Sequence, residues 1–348
     1  QSIIEESDRV EIPQKEYAKN GEKYIMMPGN AKKRHPIVEQ RTLDLIAYAE
    51  TAWFNRIEEG SDNTVGIITS STSYQYVKEV FGDKVPVLKL GLVNPLPQKL
   101  IMDFAKSVDK LYVIEELDPV IENQVKAMGI DCTGKDLFSI LGEFSQKTIA
   151  DAFGIKANES VSADSPVPNR PPMMCAGCPH RGLFYALKRL NVTVSGDIGC
   201  YTLGALSPFH AIHACVEMGA SITMAKGAAD AGQFPAFAVI GDSTFTHSGM
   251  TGLLDCVNSN ANVVVLISDN LTTGMTGGQD SAGTGRLEAI CCGLGVAPEH
   301  VRVVVPLPKN MEEIKQVLRE EVAYNGTSVV IARRECIQTL KRHLKAKK

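Results

Sequence analysis

From residue 37 to residue 155, short apolar runs alternate with stretches of helical period. Ile37 to Asn55 carries a helical pattern, and Thr64-Val65-Gly66-Ile67-Ile68-Thr69 is an apolar run ending in Thr. Such a run suits a buried strand feeding a helix N-terminus. A helical stretch reaches Phe81-Gly82, Val85 to Leu90 reads as a strand, Pro97 to Val108 as a helix and Lys110 to Ile114 as a strand. The alternation repeats further on. Val192 to Ser195 is a strand closed by Gly196-Asp197-Ile198-Gly199-Cys200, and a small-residue helix follows Gly219. Ala236 to Ile240 is a strand closed by Gly241-Asp242-Ser243. Met250, Leu253, Leu254 and Val257 then fall at i, i+3, i+4 and i+7, and Asn262 to Ile267 is a strand closed by Ser268-Asp269-Asn270. Alternating strand and helix predicts parallel sheets with right-handed crossovers.

Two segments break the pattern. Residues 1–36 read as an extension and linker, through Pro13 and the polar stretch to Pro36, and residues 156–172 as a Ser-, Asp- and Pro-rich linker. The expected organisation is therefore α/β: a parallel-sheet domain at 37–155, a second at 173–340, and a basic tail at 341–348 read as a solvated helix end. The length of 348 residues agrees with two domains. A charged fraction of 22% beside 44% hydrophobic residues rules out wholesale disorder, and a net charge of −4 gives no footprint for nucleic acid. No apolar run approaches the roughly 18–20 residues of a membrane span, and no secretory signal is present. Nine cysteines is an odd number, below disulfide-scaffold density, and predicts reduced thiols in a cytoplasm. The chain opens at Gln1, so material upstream is expected.

Candidate chemistry lies in the second block. Asp242 and Asn270 close two strands joined by one helical crossover, which brings both side chains to one crevice at the carboxyl edge of the sheet. Mg²⁺ takes oxygen ligands in an octahedron at about 2.0–2.1 Å and shares them with phosphates. Asp242 offers a charged oxygen, Asn270 a neutral one and the Thr272 carbonyl a third. Gly241 allows close backbone approach, and the amides and hydroxyls of Ser243 and Thr244 suit anionic oxygens. By itself this pattern is only moderately specific, because Gly-Asp-Ser is common in turns.

The neighbouring residues point to a family. Gly241-Asp242-Ser243 with Asn270 resembles the metal-diphosphate motif of thiamine diphosphate enzymes, and Met218-Gly219 resembles the pair those enzymes place beneath the cofactor. Thr276-Gly277-Gly278-Gln279 is similar to the 2-oxoacid:ferredoxin oxidoreductase branch. Cys175-Ala176-Gly177-Cys178-Pro179-His180-Arg181 and Gly196-Asp197-Ile198-Gly199-Cys200-Tyr201-Thr202-Leu203-Gly204 resemble the large subunit of indolepyruvate ferredoxin oxidoreductase. The resemblance implies a transketolase-C-terminal-like first domain and a diphosphate-binding second domain. It implies thiamine diphosphate and Mg²⁺, with Asp242, Asn270 and Thr272 on the metal. Gly177, Cys178, His180, Asp197, Gly199, Cys200, Met218, Gly219, Gly274 and Met275 would contact the cofactor beside Gly241, Ser243 and Thr244. No residue is assigned the chemical step outright; Cys200 and His180 are the candidates. The implied reaction is oxidative decarboxylation of an aryl 2-oxoacid to an acyl-coenzyme A, with ferredoxin taking the electrons, a second (beta) subunit and a homodimer contact. The family's activating Glu and its [4Fe–4S] clusters belong to domains with no counterpart here, so the chain by itself is expected to hold Mg²⁺-diphosphate weakly and not to turn over.

Other readings of the same residues stay open. Cys175/Cys178 with His180 is half a zinc site lacking a fourth ligand. Arg181 suits a substrate carboxylate or a helix-start ion pair, Cys200 the thiazolium or a buried apolar position, and Ser248 a helix cap. Glu115, Glu116 and Asp118 read as a solvated acidic rim. A non-oxidative thiamine diphosphate decarboxylase or synthase, and a non-catalytic nucleotide-binding docking module, are the alternative functions.

Overall fold

The computed structural model of the chain describes residues 7–156 and 167–346. It divides into two compact units, Gln1–Ser165 and Pro166–Lys348. Most of the expected 156–172 linker, and the last two residues of the basic tail, lie outside the described residues. Among the described residues no helix is long and apolar enough to cross a membrane.

In the first unit, β1 (Arg56–Glu58), β2 (Val65–Ser70), β3 (Val87–Leu90) and β4 (Lys110–Ile114) form a sheet of order β1-β3-β2-β4. β2, β3 and β4 run parallel as expected. β1 was not foreseen: it lies antiparallel on the edge, with Ile57 opposite Leu88, so this sheet is mixed rather than purely parallel. Three residues are too few to carry a period-2 signal. Ile67 and Ile68 face opposite cores, one under the helices Ser71–Phe81 and Gln146–Ala152, the other under Gln98–Lys106 and Val120–Ala127.

Two expectations for this unit are corrected. Residues 28–36, read as linker from their prolines and charges, form the first turns of a helix, Pro28–Ala49. Pro28 opens it where no backbone N–H is needed. Only Ala49 of this helix is buried, so no apolar stripe announced it. Glu115 is no solvated rim. It is buried, and its carboxylate accepts the backbone N–H groups of Ile121 and Glu122, capping the next helix. Glu116 accepts from the Phe144 N–H.

The second unit is a six-stranded parallel sheet of order β6-β5-β7-β8-β10-β9. Its strands are β5 (Thr193–Gly196), β6 (Ala214–Cys215), β7 (Ala236–Gly241), β8 (Val263–Asp269), β9 (Val301–Val304) and β10 (Ser328–Arg333). Alternate residues face opposite sides. Phe237, Val239, Leu266 and Val330 pack under the helices His180–Leu190 and Met311–Ala323; Ala238, Ile240, Val265, Ile267 and Ile331 pack under Ala220–Asp230 and Met250–Asn258. β7 and β8 are buried along their whole length, as a strand covered on both faces requires. β6, β9 and β10 were not set out from the sequence pattern.

Register fixes the edge of this sheet. Gly241 pairs with Ser268, so Asp242 and Asp269 sit at one level just beyond the hydrogen-bonded ladder. Asp269 in turn pairs with Arg333 across β10. Arg333 donates Nε to Asp269 Oδ2 at 2.6 Å and its two terminal nitrogens to Glu288 at 2.7 and 2.8 Å. The Asp269 side chain is fully buried, so its charge depends on this partner. We expect Arg333→Gln to lower stability by about 3 kcal/mol in urea unfolding, with partial recovery in Arg333→Lys. A change below about 0.5 kcal/mol, the size of a neutral surface substitution, would show that the pair does not carry the sheet edge.

Candidate functional site

A cavity of about 130 Å³ opens at the carboxyl ends of β5, β7 and β8. Gly199, Cys200, Met218, Gly241, Asp242, Ser243, Thr244, Asn270, Thr272, Gly274 and Met275, all foreseen in the sequence, line it together with Tyr201 and Thr273, which were not. The structure therefore brings most of the candidates into one place. Gly177 and Cys178 line a different cavity, and Asp197 and Gly219 stand behind the wall.

Asp242 is the electrostatic centre. It is 3% exposed, and its Oδ2 has no hydrogen-bond partner. Burial pushes its carboxyl from the ordinary 3.8 up to about 6, with the Asp269 charge adding to the rise and the Ser281 hydroxyl and Ser243 N–H opposing it. A buried carboxylate oxygen with no donor is costly, and it fits a position waiting for a cation. Among the described residues no three His, Cys, Asp or Glu side chains converge as ligands. A cation at Asp242 would therefore draw its remaining oxygens from amides, carbonyls and a phosphate-bearing ligand.

Asn270 is fixed by hydrogen bonds from two sides. Its amide nitrogen lies 3.3 Å from His180 Nε2, and its Oδ1 accepts the Thr272 N–H at 3.2 Å. His180 is 3% exposed, and burial drives its imidazole down to about 4, so it is neutral at pH 7. A neutral Nε2 accepts from the Asn270 Nδ2 and so fixes which end of the amide turns to the cavity. His180 thus meets the site through Asn270, edge-on to Tyr201 with ring centroids 6.0 Å apart.

The turn bearing Met218 and Gly219 is pinned from two sides. Asp197, fully buried, accepts the N–H groups of Ile198 and Gly219 on Oδ1 and of Ser221 on Oδ2. Both of its oxygens are spent on backbone, which makes it a positioning residue. Ser248, expected as a helix cap, instead donates its hydroxyl to the Met218 carbonyl at 2.9 Å. It sits in a wide helical turn, Phe245–Gly249, between Asp242–Thr244 and Met250–Asn258. Such turns often mark functional sites. Gly219 has φ +100°, and a Cβ there would lie 2.3 Å from Ser248 Oγ, so only glycine fits.

Tyr201 explains two further glycines. A Cβ on Gly199 or Gly241 would lie 2.4 Å from its ring. Its hydroxyl donates to the Ile198 carbonyl at 2.8 Å and lies 3.2 Å from Thr244 Oγ1. The Thr244 hydroxyl is thereby engaged with Tyr201 and Ile198, leaving its amide for an anion. Ser243 Oγ accepts from Thr273 Oγ1 at 3.0 Å. The loop beyond Asn270 closes on itself: the Gln279 carbonyl accepts from Thr272 Oγ1 and Thr273 N, and Gln279 Nε2 donates to the Thr276 carbonyl. Of the histidines around β6, His213 Nδ1 accepts the Val194 N–H, a role in the sheet.

Cys178 and Cys200 lie within electrostatic reach of Cys175 and Cys336, residues far apart in the chain. Burial pushes the Cys178 thiol up to about 11 and raises that of Cys200, so both are protonated thiols as they stand. The Cys336 N–H bonds the Asn270 carbonyl, which ties Cys336 to the cavity wall at Asn270. Spacing alone gave no sign of Cys336, 158 residues beyond Cys178.

Several known proteins share stretches of this chain. Residues 197–332 match the family described as thiamine pyrophosphate enzyme, C-terminal TPP binding domain. Indolepyruvate oxidoreductase subunit IorA of Archaeoglobus fulgidus is 37% identical over 93% of this chain and 58% of its own length. IorA of Pyrococcus horikoshii is 32% identical over 92% of this chain and 56% of its own. The chain thus spans little more than half the length of these relatives. Among solved structures, a 2-oxoglutarate:ferredoxin oxidoreductase from Magnetococcus marinus aligns with TM-score 0.40 and 17% identity, over 49% of this chain and 66% of that one.

The Asp242 carboxyl yields a pH-dependent prediction. With a folded pKa near 6 against 3.8 unfolded, ionisation opposes folding as pH rises through that window and costs on the order of 2–3 kcal/mol above it. Asp242→Asn without ligand is expected to melt higher than the parent at pH 7.5, with the gap closing below pH 4. An equal or lower melting temperature at pH 7.5 would mean that the carboxylate is already compensated within the protein.

Proposed function

We propose that the chain is the cofactor-binding part of a cytoplasmic 2-oxoacid:ferredoxin oxidoreductase large subunit, among the thiamine diphosphate-dependent enzymes related to indolepyruvate oxidoreductase subunit IorA. The reaction is oxidative decarboxylation of an aryl 2-oxoacid, indolepyruvate first, with the acyl group passing to coenzyme A and electrons to ferredoxin. A second, beta-type subunit and a contact between two copies of the chain complete the assembly. The observation that carries this reading is the buried, unpartnered oxygen of Asp242, a residue in the wall of a cavity also lined by Asn270 and Thr272.

In this reading, Asp242, Asn270 and the Thr272 carbonyl hold Mg²⁺, and the amides of Ser243 and Thr244 face the diphosphate. Bound thiamine diphosphate supplies an electron sink for the carbon that loses CO₂. Met218, 45% exposed at the cavity wall, is an unbranched, polarizable support for the cofactor's bend. The Gly219 backbone, fixed by Asp197, offers a carbonyl to the aminopyrimidine. Asp197 and Ser248 hold that turn still, and His180 keeps the Asn270 oxygen toward the cation. Clusters in a further part of the longer protein would carry electrons away.

Calorimetric titration tests the cofactor assignment. Thiamine diphosphate with Mg²⁺ is expected to bind and NAD not to, and Asp242→Ala is expected to weaken the former at least a hundredfold, the cost of leaving a diphosphate without its metal. Binding unchanged in Asp242→Ala would overturn the metal site. With the partner subunit, coenzyme A and ferredoxin, the full-length protein is expected to reduce ferredoxin faster with indolepyruvate than with pyruvate. Decarboxylation to the free aldehyde without ferredoxin reduction would favour the non-oxidative alternative.

A further inference from the structure

The second unit has another cavity, of about 350 Å³, that shares no residue with the one just described. That volume lies within the range of about 300–1,000 Å³ typical of small-molecule sites. It runs between the helix His180–Leu190 and the segment that follows β9. Arg181, Tyr185 and Arg189 line it at intervals of four, one face of the helix, and Arg334 enters from the end of β10. Gly182 lets the two walls meet, since a Cβ there would lie 2.5 Å from the Pro306 carbonyl oxygen. Pro306, Pro308 and Met311 make the facing wall apolar.

The charge of this cavity is one-sided. Three arginines line it and no acidic residue does. Among the described residues none of the three is in a salt bridge, whereas the neighbouring Arg333 holds Asp269 and Glu288 and Arg302 holds Glu320 and Glu321. Arg181 donates only to the Met174 carbonyl at 3.3 Å and lies over the Phe209 ring at 5.3 Å. Guanidinium groups match phosphate oxygens bidentately, and a half-exposed tyrosine opposite proline and methionine offers faces for a flat ring.

We infer that this cavity binds a nucleoside polyphosphate, with its phosphates on Arg181, Arg189 and Arg334 and its base against Tyr185 and Met311. The charge count decides against a simple carboxylate, which would leave two of three guanidinium groups unpaired. The same chemistry is presented by a free nucleotide and by the nucleotide end of coenzyme A; the second source rests on the function proposed above, the first does not. The cavity adjoins the cofactor site: Gly177 and Cys178 line it, His180 next to them reaches Asn270, and the Arg334 N–H bonds the Asp269 carbonyl.

Calorimetry with ADP, coenzyme A and tripolyphosphate on the same protein tests the inference. ADP and coenzyme A are expected to bind, each about tenfold more weakly in Arg189→Gln and in Arg334→Gln, the loss of one charged hydrogen-bonding group, and with unchanged affinity in Asp242→Ala. Tighter binding of coenzyme A than of ADP identifies the acyl carrier, and the reverse order a free nucleotide; either supports the site. Tripolyphosphate binding as tightly as ADP would overturn the assignment of the base to the apolar wall. Nucleotide binding lost in Asp242→Ala but kept in both arginine variants would place it in the cofactor cavity and overturn the inference, while leaving the cofactor assignment intact. No binding of ADP or coenzyme A at millimolar concentration would overturn it as well.

Discussion

One register controls the second unit: β7 lies parallel to β8 with Gly241 against Ser268. It sets two aspartates side by side at the dry edge of a sheet covered on both faces, where like charges repel and water is scarce. The two are resolved differently. Asp269 is neutralised by Arg333 from the next strand, also by register. Asp242 is left with a buried oxygen and no donor. A shift of one residue in either strand pairing would separate the acids or take the arginine off Asp269. The unpaired carboxylate oxygen of Asp242 is therefore a consequence of how the strands align.

Around that oxygen, the neighbouring residues act mostly through backbone. Asp197 uses both oxygens on amides, Ser248 holds a carbonyl, and the Tyr201 ring occupies the space that glycines at 199 and 241 leave open. Each removes freedom from a main-chain segment rather than presenting a reactive group to the cavity. That suits a site whose chemistry is carried by a bound cofactor, because what such a protein contributes is position and field. The neutral His180 belongs to the same group. It is too buried to exchange protons readily near neutrality, and its use is to orient an amide.

Much of this was legible in the sequence, for identifiable reasons. β7, β8 and the helix after Gly219 are long, apolar and bounded by Gly, Asp and Ser, so pattern and punctuation agreed. The candidates Asp242 and Asn270 followed from that, because strand ends in a parallel sheet share an edge. What escaped were features with short or distant signals. β1 has three residues and β6 two. The helix from Pro28 has one buried residue and no stripe to reveal it. Tyr201 looked like part of a motif rather than a wedge between two glycines. Cys336 comes to the site only because β10 lies next to β8 in the sheet, a strand order that local pattern does not encode.

That strand order also decides how the two cavities can influence each other. β10 sits between β8 and β9, so its end carries Arg333 toward the cofactor edge and Arg334 toward the arginine-lined groove. The backbone there is bonded directly to the end of β8, through the Arg334 N–H to Asp269 and the Cys336 N–H to Asn270. A ligand that draws Arg334 must act on this short segment, whose main chain holds the carbonyls of both Asp269 and Asn270. Any free-energy coupling between the cavities would have to be reciprocal. The route for it is those two parallel backbone hydrogen bonds, and His180 supplies a second route from the opposite wall.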